Sequence, residues 1–410
     1  MRLAHAFLVA ADLPIPGDAF LYRLLAAELV DGSGYSRNGA PTAEHPPLFS
    51  LFLAGWNQLG FGGVRAERIQ CALLGTLTVA LIGLLGRRAA GPRVGLLAAG
   101  IAALYPPLVL VDGALISESL YLPLVVGALL LAFRLIDRPG PGSAAALGAV
   151  IGLCTLTRSD GILLLPLLAL PLAWRVRAAR WRSLAACAGA ALVVLSPWLV
   201  RNWIQFDRFP VLSSNVGYTA LAANCPATYY SPGYVGFVRH QCAFRSACID
   251  VQGELAASDC MRDEARAYAR RHLARVPLVM LARAGRPWEV NATGATHYYG
   301  QNWARDRRLA RAERIVSLVA LAFALAGAVA LRRRRVPLLP LLAPLAVATL
   351  VAALTFGFPR YRIVADPSVV VLSATGLACL WSRLRRLEAQ PRLRLPWSAQ
   401  ATLGAGGSSQ

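Results

Sequence analysis

The feature that most limits what this chain can become is a succession of apolar runs, separated by short clusters of arginine. Several runs approach or exceed the roughly 17–25 residues that cross a bilayer as a helix. Backbone in lipid must satisfy its own hydrogen bonds, so a run of this length has few options besides a spanning helix. The rest of the composition agrees: 56% of the 410 residues are hydrophobic and 15% are charged, where soluble domains carry roughly 25% charged residues. The expected fold class is all-α, a polytopic transmembrane helical bundle of about nine to eleven membrane helices with an acid-bearing first external loop.

The 42 basic against 21 acidic residues give a formal charge of +21, and no lysine is present. Much of the arginine falls between apolar runs: Arg87, Arg88 and Arg93; Arg134 and Arg138; Arg175 to Arg182; Arg332 to Arg335; Arg383 to Arg386. That is the pattern that holds loops in the cytoplasm. It argues against nucleic-acid binding, which gathers basic residues and aromatics on one soluble face.

With every cluster inside, the chain threads self-consistently through spans at about 64–86, 93–111, 118–134, 143–157, 160–174 and 183–199, then 313–331, 336–356 and 368–382. The outer side then receives 12–63, 112–117, the turn around 158–159, a segment of 200–312, and 357–367. Residues 47–62 are apolar, but counting them as a span would invert every later cluster, so they read as a helix along the outer interface. Residues 1–11 are too short to span, and the reading favours a first spanning helix missing ahead of them. The expected organisation is one membrane domain, 1–382, followed by a basic and then disordered cytoplasmic tail, 383–410.

Four of the eight cysteines, Cys71, Cys154, Cys187 and Cys379, fall in spans, where they act as small apolar residues. Cys225, Cys242, Cys248 and Cys260 all lie in the external segment and suggest two disulfides, in any of three connectivities. A zinc site is the rival, but no CxxC pair is present.

The outer loops also hold the residues with chemistry in them. Asp18 and Tyr22 share a helix face in the first loop. Asp18 is a general base, a cation ligand or the cap of its helix. Asp112 and Glu118 flank the second outer turn, where acids beside an apolar helix are costly unless solvated, paired or functional. Arg158, Arg201 next to Asn202, and Arg360-Tyr361-Arg362 are arginines on the side that disfavours them. Such residues suit an anion such as phosphate, or else head groups and neighbouring acids. His45 is a candidate metal ligand or proton carrier, and Trp198, Trp203, Trp288 and Trp303 read as interface aromatics. Asn291-Ala292-Thr293 matches a glycosylation sequon.

Taken in order, these stretches form a pattern: Gly17-Asp18, Tyr22 and Ala26; Gly32, Gly34-Tyr35; His45-Pro46-Pro47-Leu48; Gly86-Arg87-Arg88; Ser117-Glu118; Leu156-Thr157-Arg158; Pro197 to Asn202; Ala223-Asn224-Cys225; Pro359-Arg360-Tyr361-Arg362. The ordered set resembles membrane glycosyltransferases of the family 39 type, which have the GT-C fold and include protein mannosyltransferases and lipid A aminoarabinose transferases.

The resemblance implies an inverting transfer of a hexose or pentose from a polyprenyl-phosphate donor to a glycan, lipid or protein acceptor outside the cytoplasm. Asp18 would be the base or the residue that positions donor and metal, with Glu118 and Asp112 where a second acid is often found. Arg158, Arg201 and Arg360 would neutralise the leaving phosphate, and Tyr22, His45, Asn202, Tyr361 and Arg362 would complete the substrate site. A divalent cation, magnesium or manganese, is the one cofactor left open, at Asp18 and His45. Membrane lipids are the remaining partners, and the lysine-free composition suggests a high-GC bacterium and its plasma membrane. A lipid-linked sugar transporter or flippase, or an oligosaccharide ligase, remains the alternative. Against the transporter, no internal repeat is evident.

Overall fold

The computed structural model describes residues 15, 17–208, 212–290 and 307–389. Residues 1–11, the 291–293 sequon, Trp303 and most of the expected tail lie outside the described residues. The fold is helical almost throughout, and strand among the described residues is confined to one two-stranded ribbon.

The first loop is built from α1 (Gly17–Val30), the ribbon β1 (Ser36–Arg37) with β2 (Ala40–Pro41), and α2 (Leu48–Gln58). The second helix is only eleven residues long and buries Phe49, Ser50, Leu53 and Ala54. It is too short to span.

The bundle follows. α3 (Val64–Ala90) is apolar and long enough to cross a membrane. The run expected as one span at 93–111 is instead α4 (Pro92–Leu104) and α5 (Pro106–Gly113), bent by 53° where Pro106-Pro107 follow Tyr105. α6 (Glu118–Asp137) and α7 (Pro141–Thr157) come next. The span expected at 160–174 is broken: a 3₁₀ turn at Ser159–Leu163 and a π-helical turn at Leu165–Ala169 lead into α8 (Leu170–Trp174). Pro166 and Pro171 each remove a backbone donor there, which hydropathy does not register. α9 (Arg180–Phe206) returns across the bundle.

The segment expected outside carries α10 (Val216–Ala223), α11 (Pro226–Tyr230), α12 (His240–Phe244), α13 (Glu254–Arg271) and α14 (Val276–Gly285). Disulfides join Cys225 to Cys242 and Cys248 to Cys260, one connectivity of the three. The chain then completes the bundle with α15 (Arg307–Arg333), α16 (Leu339–Leu354) and α17 (Asp366–Ala389). Among the described residues, four helices pass as spans by length and apolarity, and five if the bent pair counts as one. Three shorter apolar helical stretches, at 141–157, 159–174 and 339–354, accompany them.

Helices pack here by backbone approach as well as side-chain burial. A β-carbon at Gly148 of α7 would lie 2.0 Å from the Cys187 carbonyl oxygen of α9, and one at Gly327 of α15 would lie 1.9 Å from that of Leu372 in α17. Larger residues at either position would push the helix pairs apart, as in other small-residue membrane interfaces.

Candidate active site

The site is assembled from four separate stretches that meet at one end of the bundle. Asp18 lies in the first turn of α1, where a carboxylate suits the positive helix end. Glu118 starts α6, Arg158 ends the α7 stretch, and Arg360 sits in a 3₁₀ turn at Pro359–Val364. Arg360 is the hub. Its Nη1 donates to Asp18 at 2.6 Å, its Nη2 donates to Glu118 at 2.7 Å, and its Nε donates to the other Glu118 oxygen. Arg158 donates to the same Glu118 at 2.7 Å and also to Asp160, at 3.1 and 3.2 Å.

Burial grades this network. The Glu118 side chain is 3% exposed, whereas that of Asp18 is 43% exposed and marks the open end. Ser117 donates to Glu118 at 3.4 Å and receives the Tyr22 hydroxyl at 3.1 Å. Desolvation works against ionising Asp18, but the charge of Arg360, with His45 and Arg158 behind it, outweighs that and holds the carboxyl at about 2. Burial pushes the Tyr22 phenol up, helped by the charges of Asp18 and Glu118, so it stays a donor at neutral pH. His45 lies beside this group, its ring 4.9 Å from that of Tyr22 and anchored by the Tyr35 hydroxyl donating to its carbonyl.

Not every expected site residue joins. Asp112 is buried against α3, where a β-carbon at Gly75 would collide with its carboxylate. Arg201 donates to the carbonyls of Thr42 and Tyr35 at 2.7 and 2.5 Å and to the Asn202 side chain at 2.9 Å. Its guanidinium also lies over Trp198 at 5.2 Å, so Arg201 and Asn202 tie the first loop to α9. Arg362 points the other way from its neighbour, into Asp366 and Glu289 at 3.2 and 3.1 Å. Tyr361 packs on Phe356 at 5.4 Å between the two arginines.

Asp160 completes the Arg158 pair, one of the neighbouring acids the sequence offered to these arginines. Other residues at the site carried no sequence signal. Glu254 of α13 accepts from the Ala43 amide at 2.7 Å and from Ser214 at 2.5 Å, pinning the first loop to the external segment. His240 feels the charge of Asp18 although 222 positions separate them in the chain. Gly236 and Gly357 bring the external segment against the Arg360 turn, with the Gly357 amide donating to the Gly236 carbonyl at 2.8 Å. Gly236 has φ +75°, and a β-carbon there would meet Arg283 at 2.9 Å, so the residue is set by both backbone and space.

The site does not suit a divalent cation as arranged. Asp18 and Glu118 are taken up by guanidinium groups, so a divalent cation would have to displace Arg360 from them.

Comparison with known proteins agrees with this architecture. The model of the dolichyl-phosphate-mannose-protein mannosyltransferase family matches residues 44–201, a stretch that holds Glu118 and Arg158 but neither Asp18 nor Arg360. Among solved structures, the chain is similar to the Archaeoglobus fulgidus oligosaccharyltransferase in complex with zinc and sulfate, with a TM-score of 0.52 at 15% identity. That match covers 94% of this chain and 49% of the other, so the chain spans about half of the archaeal protein. ArnT from Cupriavidus metallidurans bound to undecaprenyl phosphate gives a TM-score of 0.45 at 15% identity, covering 94% of this chain and 77% of ArnT. No curated protein matches the sequence. The chain is thus a multi-pass membrane protein with the GT-C fold of the membrane glycosyltransferases. Within that class, its family resemblance is to the dolichyl-phosphate-mannose-protein mannosyltransferases.

Proposed function

We propose that this chain transfers a sugar from a polyprenyl-phosphate donor to an acceptor hydroxyl, with inversion at the anomeric carbon. The observation that carries the reading is the network joining Asp18, Arg360, Glu118 and Arg158, which places an ionised carboxylate beside two guanidinium groups at the open end of a membrane bundle. The family match, whose description includes a polyprenyl-phosphate sugar, supports the donor class.

Each group has a role in the step. The acceptor oxygen attacks the anomeric carbon as its proton passes to Asp18, while the bond from that carbon to the phosphate oxygen breaks and the phosphate keeps the electron pair. Arg360 and Arg158 stabilise the charge that develops on the phosphate. Glu118 contacts no substrate in this reading; it holds both guanidinium groups in place from below. An incoming phosphate draws Arg360 away from Asp18, which restores basicity to the carboxylate at the point where the proton must go. No step runs through a metal.

The two disulfides of the external segment fit an oxidising compartment, so the reaction belongs on the extracytoplasmic face of a bacterial plasma membrane. Residues up to 382 form the transferase unit in this reading. The test is transfer of radiolabelled sugar from a panel of polyprenyl-phosphate donors into membranes containing the chain, with an Asp18→Asn variant beside it.

A further inference from the structure

One side chain, His240, is fixed beside the stretch that leads into the Arg360 turn by more ties than packing alone would supply. His240 opens α12, and three contacts set its place. The amide of Arg239 donates to the Ala222 carbonyl at 3.0 Å, Cys242 is bonded to Cys225, and Phe237 pairs with Gly357 in a single parallel bridge. The imidazole consequently lies 6.5 Å from the ring of Phe356, on the stretch of chain that leads into the Arg360 turn.

Its two nitrogens are treated differently. The Tyr218 hydroxyl of α10 is 2.8 Å from Nδ1. In the tautomer in which the phenol donates to Nδ1, the proton of the neutral ring is on Nε2. Nε2 has no hydrogen-bond partner among the described residues, although the ring is partly buried. Nε2 is not among the buried unpartnered atoms, so it is open to solvent and to a ligand arriving from it. Burial depresses its protonation and Asp18 opposes that only in part, so the ring is neutral at pH 7.

Resting on the transferase reading above, we propose that His240 is an acceptor-binding residue, its Nε2–H donating to an oxygen of the hydroxyl-bearing acceptor while Asp18 takes the reacting proton. The alternative contact, to the donor phosphate, is disfavoured by charge. A neutral ring adds none to the phosphate, which Arg158 and Arg360 already face, and a fixed neutral N–H suits a sugar oxygen. Its position on the external segment also puts it where an acceptor arriving from water would meet the site.

The experiment measures initial rates of the full-length chain with polyprenyl-phosphate mannose as donor and octyl α-mannoside as the hydroxyl probe. His240→Ala should raise the KM for the probe by roughly tenfold, the effect of one lost hydrogen bond of about 1.4 kcal/mol, with the donor KM unchanged. His240→Gln, which keeps an N–H on a comparable reach, should recover most of the loss, and Tyr218→Phe should fall between. Mass analysis after alkylation, with both disulfides intact, shows that the variants fold. An unchanged probe KM, a rise in donor KM instead, or a glutamine variant no better than alanine would each overturn the proposal. Absence of transfer by the wild-type chain is a different result: it would overturn the transferase reading, and this proposal with it.

Discussion

Asp18 and Arg360 stand 342 positions apart in the chain and are joined by a 2.6 Å ion pair. The pair closes the bundle's functional end, because Arg360 also grips the buried Glu118, and through it Arg158. One guanidinium therefore links the first loop, α6 and the turn before α17.

Replacing Arg360 by glutamine should cut transfer by about 10²–10³, the usual cost of losing one preorganised charge-stabilising donor. Glu118 keeps Arg158 as a partner, so the fold should survive. Thermal unfolding in detergent alongside the transfer rate separates the two effects. A variant that melts normally and transfers at the wild-type rate would remove Arg360 from the mechanism.

The pH dependence of stability follows from Asp18. Its carboxyl titrates at about 2 in the fold against an ordinary 3.8, so the folded state favours the ionised form. The stabilisation is therefore complete above about pH 4 and is lost as pH falls through 2. Melting temperature measured from pH 5 down to pH 2.5 should fall more steeply for the wild type than for Asp18→Asn. Parallel curves would mean that the ion pair contributes nothing to stability.

Much of the site was legible because its parts are chemically conspicuous. Acids and arginines in the outer loops of an apolar chain stand out, and Asp18, Glu118, Arg158 and Arg360 do converge. The apolar runs likewise mark most of the helices, although those expected at 93–111 and 160–174 are broken by prolines. What could not be read is direction. Arg360 and Arg362 are two residues apart, yet the tight 3₁₀ turn sends them into different networks. Arg201 carries the same charge as Arg158 but is consumed by the Thr42 and Tyr35 carbonyls. His240 depends on a disulfide and a backbone bridge that join distant segments, and neither leaves a local pattern.

The two disulfides should differ in consequence. Cys225–Cys242, at a sequence separation of 17, closes a loop whose removal costs about 3 kcal/mol by chain entropy. Cys248–Cys260 closes a similar loop but does not bracket the Phe237–Gly357 bridge. Paired Cys→Ser variants should lose comparable stability, while only the Cys225/Cys242 variant loses transfer at a temperature where both remain folded. Equal transfer by both variants would show that the bridge does not need its staple.

Chelation should have little effect. Because guanidinium groups hold the carboxylates that a cation would need, transfer measured with excess EDTA should stay within about twofold of the untreated rate. Loss of activity restored by manganese or magnesium would require Arg360 to leave both acids and a cation to take its place.

The most direct test of the account is transfer of radiolabelled sugar from polyprenyl-phosphate donors by the wild-type chain and by Asp18→Asn at matched expression. The substitution keeps the size of the side chain and removes its capacity to accept the acceptor's proton. Label that moves with the wild type and falls by about 10²-fold or more in the variant is the predicted result. Undiminished transfer by the variant would contradict the assignment of Asp18 as the base.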